Sequence, residues 1–354
     1  MSPHVALLAL VVAAQPPAPR ADTAMAVAYL LKHQSPDGAW RSDVYAAFKD
    51  GTALTPLVLG ALQDADAAPA ARAKAIAFLD TFVTPAGDVR EPAGGFDYPV
   101  YTAALALKAL CHADGAGRPA AKAAWVKYLL DRQLTRDLGW EPADPHYGGW
   151  GYSRGVPKKP DPNGFAPPLT ESNLSATLFA LEALHAAGAL TDARAEAALA
   201  FLRRCQNDDG GFHFVHADPV RNKAGLIEGV AASYGSATAD GLRALRLCRR
   251  GGHAEEIDRR AKRAAAWLRT GFRADVHPGR YAPAMEGNRN AVYFYYAASA
   301  AKALPDATAG LAAALAGRQR PDGSWANAVD LVRENDPLVA TSQALGALAA
   351  LRGR

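Results

Sequence analysis

The chain has 354 residues, 50% of them apolar, and a formal net charge of +4. This length accommodates two ordinary domains or one large closed array, and the apolar share is sufficient for a sizeable core. So small a charge does not by itself imply a nucleic-acid partner, and we expect none. The three cysteines show no CxxC spacing, which predicts small buried thiols rather than a disulfide framework or zinc ligands.

The N-terminus contains an apolar run, residues 5–14, that ends in small residues and is followed by a proline-containing stretch at 16–20. The run is too short to span a bilayer and is typical of a signal peptide. We therefore expect residues 1–22 to be a signal peptide and linker, the protein to be exported to the periplasm or cell surface, and the mature chain to have no transmembrane segment. Residues 1–4 lack the Lys or Arg that usually opens such a peptide, so a disordered apolar N-terminus is the alternative.

After this leader, one motif recurs along the chain. It consists of Leu, three residues, Gln, two residues, Asp-Gly, one residue and an aromatic, and we call it the repeat motif. It occurs at 29–40 (YLLKHQSPDGAW), 201–212 (FLRRCQNDDGGF) and 314–325 (ALAGRQRPDGSW), with a looser copy at 128–140. Gly after Asp suits a tight turn, and we expect the Gln amide to satisfy carbonyls at the end of its own helix.

The chain order predicts six helical hairpins, each with an outer and an inner helix. Each unit places an aromatic residue shortly after a turn glycine, and each inner helix closes on a Leu. Four inner helices also carry a Thr seven residues before that Leu, at Thr55, Thr177, Thr238 and Thr341. The outer helices are predicted near 23–33, 69–83, 120–133, 192–205, 255–270 and 306–318, and the inner helices near 51–63, 98–112, 171–187, 233–250, 290–304 and 336–351.

A single hairpin cannot bury the apolar faces of both its helices, so neighbouring hairpins must stack. The first and last units resemble the middle ones and carry no polar capping repeat. We therefore predict an all-α fold, in which residues 23–354 form a single closed α/α toroid. The turns and the long connections at 139–170, 211–232 and 272–289 then lie at one end, where a site is expected.

These motifs resemble the squalene-cyclase and protein-prenyltransferase superfamily of α/α toroids. The repeat motif is similar to that family's Gln-Trp repeat, and GGWGY at 148–152, NLSATLFALEAL at 173–184 and YGSATADGL at 234–242 are similar to exported bacterial members of unknown function. The Asp-x-Asp-Asp and Asp-Cys acids of the triterpene cyclases, the zinc ligands of the prenyltransferases and the complement-type thioester are absent. The resemblance therefore implies the fold and gives no catalytic residue.

Asp240 is the candidate catalytic acid, because a carboxyl group inside a desolvated cavity has a raised pKa and suits a proton donor. The alternatives are an Asp on the helix surface, or one paired with Arg243 at i+3. No third metal ligand follows His213 and His216 at a suitable spacing in the sequence, so we expect no metal site at this pair. We also expect no cofactor. Aromatic residues near the inner-helix N-termini can line a cavity, and polar ones can bind a ligand or cap helices. The candidate ligand-binding residues are Tyr101, Trp150, Glu171, Asn173, Tyr234, Thr238, Tyr293, Tyr296 and Asp336.

Three functions remain open from the sequence. The first is binding of an apolar or isoprenoid-like small molecule, with cyclase-type chemistry started by an acid such as Asp240. The second is a carbohydrate-active toroid, a polysaccharide lyase or glycosidase, which requires a pair of carboxylates or a Tyr or His base beside an Arg. The third is a non-catalytic scaffold that grips a cell-surface polymer.

Overall fold

Twelve α-helices alternate between an outer and an inner ring in a computed structural model that describes residues 20–114 and 117–353. The outer helices are α1 (Thr23–Lys32), α3 (Pro69–Asp80), α5 (Pro119–Leu130), α7 (Asp192–Cys205), α9 (Ala254–Gly271) and α11 (Leu311–Ala316). The inner helices are α2 (Leu54–Asp64), α4 (Pro99–Asp114), α6 (Leu174–Ala186), α8 (Gly235–Leu247), α10 (Tyr293–Ala303) and α12 (Pro337–Arg352).

The inner ring is closed. Each inner helix packs on the next one, from α2 through α4, α6, α8 and α10 to α12, and α12 packs back on α2. The outer helices pack against the outside of this ring. Because the contact between α12 and α2 leaves no open end, the predicted closed toroid of six hairpins is confirmed.

Tryptophans of the repeat motif end the outer helices. The indole Nε1 of Trp40 donates to the carbonyl of Leu30 at 2.7 Å, and Trp325 does the same to Leu315 at 2.8 Å. These carbonyls belong to the last turns, where a helix leaves acceptors unfilled, and each also accepts from a backbone N–H just past its helix, that of His33 for Leu30 and that of Arg318 for Leu315. The indole thus has the role that we predicted for the motif's glutamine.

The glutamines link neighbouring repeats instead, so our prediction for them was wrong. Gln133 donates through Nε2 to Gly148 O in its own turn at 2.9 Å, and to Arg194 O at the start of the next outer helix at 3.0 Å. Gln319 bridges Gly323 O and Asp22 O in the same way, which connects the last repeat to the first. Each glutamine therefore ties one hairpin to the next.

The four inner-helix threonines fix the motif's aromatic residues. Their hydroxyl oxygens accept from the backbone N–H of that aromatic at 3.0–3.1 Å, in the pairs Thr55 with Trp40, Thr177 with Trp150, Thr238 with Phe212 and Thr341 with Trp325. All four threonines are fully buried. The period of seven residues thus reflects a contact between turn and inner helix within one repeat.

Three local features differ from the predictions. Helix α11 begins only at Leu311, because Gly310 has a φ of +79° and separates the helix from the preceding segment. Residues 283–292, predicted in part as helix α10, form a 3-10 segment. A short antiparallel hairpin, β1 (Leu226–Ile227) and β2 (Val230–Ala231), occurs in the connection between α7 and α8.

The predicted signal peptide lies outside the described residues except for its last three positions. Within 20–114 and 117–353, no helix combines the length and apolar character that a membrane span requires. The three cysteines are free thiols; Cys205 and Cys248 are buried, and Cys111 is half-buried.

Candidate functional site

A cavity of about 600 Å³ occupies the end of the ring at which the inner helices begin. Its walls combine the first turns of the inner helices with three connecting loops, around residues 48–53, 214–223 and 331–334. Seven aromatic side chains line these walls: Phe48, Tyr98, Tyr101, Tyr152, Phe214, Tyr234 and Tyr295. This volume is in the range typical of small-molecule sites, about 300–1,000 Å³.

Asp240 forms part of the cavity floor. It lies in the second turn of α8 and is 1% exposed. Its Oδ1 accepts from the hydroxyl of Ser299 at 2.5 Å, and its Oδ2 accepts from Tyr295 at 2.7 Å and from Ser175 at 3.3 Å. Three helices thus meet at this carboxyl group: α8 carries Asp240, α6 brings one hydroxyl group and α10 brings two.

Burial raises the pKa of Asp240, because the charged form loses its hydration in the ring interior. Arg243, with a nitrogen 3.8 Å from Oδ1, and the three hydroxyl groups oppose that rise. The net effect is a carboxyl group that stays protonated at higher pH than an exposed Asp, and whose anion is nevertheless hydrogen-bonded. Such a group can hold a proton and release it.

A charged network lies beneath this floor. Arg243 donates to Glu182 and, through Nη1, to the Ser299 hydroxyl at 2.9 Å; Lys108 Nζ lies 2.8 Å from Glu182. The nearby cations hold the pKa of Glu182 well below its usual range against the effect of burial. A second, much smaller cavity of about 80 Å³ adjoins these side chains. The charged network therefore narrows the interior of the ring at the end opposite the main cavity.

Glu334 is a second buried carboxyl group of the cavity, and we did not predict it from the sequence. Its oxygens accept from the backbone N–H groups of Phe294 at 2.9 Å and Tyr295 at 2.7 Å, and from Asn327 Nδ2 at 3.1 Å. Burial raises its pKa to about 7. A residue of the last repeat therefore caps the inner helix of the fifth, and this pairing across 40 positions leaves no signal in local sequence.

Three of the predicted site residues lie together in the cavity: Asp240, Tyr101 and Tyr234. Tyr101 stacks on Phe179 with ring centres 4.5 Å apart. Burial raises the pKa of both tyrosine hydroxyls, so both stay protonated at neutral pH.

The other predicted ligand-binding residues lie outside the cavity lining. Trp150 and Thr238 have the structural contacts of the repeat motif described above. Asn173 and Asp336 cap α6 and α12 through Ala176 N and Leu338 N.

Glu171 contacts the site only indirectly, because its carboxylate pairs at 2.9 Å with Arg221, which does line the cavity. Tyr293 and Tyr296 donate their hydroxyls to the carbonyls of Ala274 and Arg273. They pack against neighbouring side chains, so only Tyr295 of this aromatic run faces the cavity.

In the part of the chain that the structure describes, no three His, Cys, Asp or Glu side chains lie close enough together to hold a metal ion. His213 donates from Nδ1 to Asn207 Oδ1, 3.1 Å away, and burial lowers its pKa to about 4.

The fold and cavity define an α/α toroid with an internal, largely aromatic site. The family model described as the prenyltransferase alpha-alpha toroid domain matches residues 98–224 and 160–335. The chain therefore belongs to the prenyltransferase α/α toroid family, in agreement with the resemblance of its repeats. No curated protein matches the sequence.

Solved structures share this fold at low identity. A variant of the type II terpene cyclase MstE from Scytonema, in complex with geranylgeranyl dihydroxybenzoate, has a TM-score of 0.57 at 14% identity, over 93% of this chain and 96% of that chain. The cellobiose 2-epimerase from Spirochaeta thermophila has a TM-score of 0.56 at 16% identity, over 92% of both chains. A protein from Actinoplanes has a TM-score of 0.53 at 16% identity, over 93% of this chain and 97% of that chain. At these identities the likeness concerns the fold.

Proposed function

We propose that the cavity binds an isoprenoid-like chain and that Asp240 starts its cyclisation as a carboxylic acid. The observation that carries this proposal is the position of Asp240, a buried carboxyl group with a raised pKa at the floor of an aromatic cavity. Its proton adds to one carbon of a double bond and leaves a cation on the other. The π electrons of the next double bond then form a ring bond, the last cation loses a proton to solvent at the mouth of the cavity, and the Asp240 carboxylate takes up a proton from solvent before the next turnover.

The cavity walls suit such an intermediate. The faces of aromatic rings attract cations, and a carbocation between them needs no counter-ion. The tyrosines also present few strong nucleophiles, because burial keeps their hydroxyls protonated. The type II terpene cyclase with the same fold has a substrate that carries a geranylgeranyl group.

The hydroxyl groups around Asp240 stabilise the carboxylate that remains once the proton has been transferred. When the proton leaves, the carboxylate accepts hydrogen bonds from Ser299, Tyr295 and Ser175. Hydrogen bonds to a charged form favour it, so the three donors make the acid stronger without exposing it to water. Burial and hydrogen bonding thus together provide a protonated resting acid that can transfer its proton.

A carbohydrate substrate is the alternative, since the cellobiose 2-epimerase has the same fold. Glycoside hydrolysis requires two carboxyl groups that are free to act on the substrate. The second carboxyl group of this cavity is Glu334, and both its oxygens accept backbone N–H groups of α10. No histidine lines the cavity within the described ranges. Tyr98 does lie beside Arg333, whose guanidinium is 5.8 Å from the centre of its ring, but burial raises the pKa of the Tyr98 hydroxyl, which keeps it protonated and disfavours it as a base. These contacts favour the isoprenoid substrate.

The test is incubation of the purified protein with geranylgeraniol, geranylgeranoic acid and squalene in D2O, followed by mass spectrometry of the extract. We expect a cyclised product that carries one deuterium from the initiating acid. Asp240→Asn should abolish it, because an amide has no acidic proton to transfer.

The matched control is Asp336→Asn. Asp336 is also 1% exposed, but it lies outside the cavity lining and caps α12, a position that Asn fills well. This variant should cyclise like the wild type. A cyclised product that persists in Asp240→Asn contradicts the acid assignment. Turnover of cello-oligosaccharides with no product from any isoprenoid supports the carbohydrate alternative instead.

Export is a second proposal, and the apolar run at 5–14 supports it. Expression of the full-length gene in a bacterium, with N-terminal sequencing of the periplasmic fraction, tests it. Cleavage after the run is expected, and an uncleaved cytoplasmic chain contradicts it.

A further inference from the structure

Lys223 is a cation in the cavity wall without an anionic partner. Its Nζ lies 4.2 Å from the centre of the Phe214 ring, and it forms no hydrogen bond or ion pair with any residue in the described ranges. Burial lowers its pKa to about 8. An ammonium group that is partly desolvated and unpaired is unfavourable, unless a ligand supplies the missing charge.

The loop around Lys223 is held in place. The neighbouring Asn222 is 1% exposed, accepts from Phe214 N, and donates through Nδ2 to Gly225 O at 3.0 Å and Ala232 O at 2.9 Å. These contacts connect both ends of the loop between α7 and α8. The lysine therefore extends from a fixed backbone, so its position in the wall does not come from a loose surface side chain.

Arg333 is a second cation of the wall without a carboxylate partner in the described part of the chain. Its guanidinium lies over the rings of Tyr45 at 4.7 Å and Phe48 at 5.5 Å. Its backbone has a φ of +68°, a left-handed conformation that residues with a Cβ rarely adopt. This turn directs the next side chain, that of Glu334, into the ring interior while Arg333 stays in the cavity wall. Arg221 differs from these two cations, since it is paired with Glu171.

The acids of the cavity do not balance these cations. Asp240 and Glu334 are both buried, and burial raises the pKa of each. Asp240 must also be protonated, and therefore neutral, to act as the acid proposed above. The oxygens of Glu334 accept from backbone N–H groups of α10 and from Asn327, and those of Asp240 accept from three hydroxyl groups, so neither carboxyl group pairs with Lys223 or Arg333. Two cations on the side of the loops above an aromatic cavity match a ligand with an anionic end and an apolar chain.

We propose that Lys223 and Arg333 form an anion subsite at the mouth of the cavity, which holds the carboxylate or phosphate head of an amphiphile while its chain reaches towards Asp240. This proposal rests on the proposed function and narrows its substrate class. A neutral hydrocarbon would leave both cations unpaired. An anionic head would pair with them and fix which end of the chain meets the acid.

The experiment is calorimetric titration of the full-length Asp240→Asn protein, which binds without turnover. The probes are geranylgeranoic acid, geranylgeranyl phosphate and the neutral geranylgeraniol. We expect at least one anion to bind about ten-fold more tightly than the alcohol, the size of one charge-assisted contact. The better of the two anions identifies the head group.

Lys223→Met and Arg333→Met, each added to Asp240→Asn, should remove most of that preference and leave the alcohol's affinity within about two-fold. Lys223→Gln serves where the Met variant does not fold. Lys158→Met is the matched control, because Lys158 is exposed and does not line the cavity; it should change none of the affinities.

The possible results separate this proposal from the proposed function. Equal binding of all three probes, or an anion preference that survives both substitutions, overturns the subsite while isoprenoid binding stands. A preference that depends on Lys223, together with no cyclised product from wild-type protein, supports the subsite and contradicts the cyclase. No binding of any probe overturns both.

Discussion

Thr238 offers a direct test of how the repeats are built, because the sequence suggested a ligand contact and the structure shows a packing contact. Its Oγ1 accepts from Phe212 N at 3.0 Å and donates to Tyr234 O at 2.9 Å, and the residue is fully buried. Thr238→Val keeps the shape and removes the hydroxyl. The N–H of Phe212 is then left without an acceptor, which costs about 1–3 kcal/mol of the free energy of unfolding.

Thr102→Val is the matched control for this change. Thr102 is 1% exposed on α4, and its hydroxyl has no hydrogen-bond partner among the described residues. Removing an unsatisfied buried hydroxyl should leave the stability unchanged or raise it. Both substitutions remove the same group from a buried helix position, so the difference between them isolates the hydrogen bond.

The assay is urea unfolding followed by circular dichroism, with titration of geranylgeranoic acid in parallel. We expect Thr238→Val to unfold at lower urea than Thr102→Val and to bind the probe as the wild type does. Equal stability of the two variants would refute the role of the hydroxyl in the repeat. A loss of affinity at full stability would show that the ligand-contact prediction for Thr238 was right.

Three further predictions concern stability. Because the pKa of Glu334 rises from 4.5 to about 7 on folding, its contribution to the free energy of unfolding is complete below pH 4.5 and is lost as the pH rises to 7. In the wild type this free energy should fall by on the order of 3 kcal/mol over that range, and Glu334→Gln should remove the fall. If urea unfolding gives the same pH dependence for both proteins, the prediction is contradicted. Gly148→Ala should prevent folding, because a Cβ there meets Ala197 O at 2.0 Å and φ is +104°. Gly155→Ala is the control and should fold, because the space around Gly155 is open. A soluble Gly148→Ala protein that melts cooperatively would contradict the prediction and show that the backbone of the repeat adjusts. Gln133→Leu should lower the free energy of unfolding by about 1–3 kcal/mol, because the buried carbonyl of Gly148 and the partly buried carbonyl of Arg194 lose their donor. Gln319→Leu, at a more exposed junction, should lower it less. The reverse order in a melting experiment would argue against the link between repeats.

The amino-acid sequence by itself determined the architecture. Helix-ending turns, capping residues such as Asn173 and Asp336, and apolar faces at helical spacing act within a few residues of one another, and the same pattern recurs six times. Stacking of identical units with no polar ends then leaves a ring as the arrangement that buries every face. The predicted bounds of α7 agree with the structure at both ends, because Thr191 caps its start and a repeat motif ends it.

The tertiary structure alone decided which residues form the site. Thr238 and Asp240 are two positions apart on one helix, and both are buried, yet one faces its own repeat's turn and the other faces the cavity. The local sequence pattern cannot distinguish these two side-chain orientations, because residues on both sides of an inner helix are buried. Glu334 belongs to the site through hydrogen bonds to another repeat, and Lys223 through its position in the cavity wall over the ring of Phe214. The repeated residues thus determine how the ring closes. The chemistry of the site depends instead on loops and helices that come together only in the closed ring.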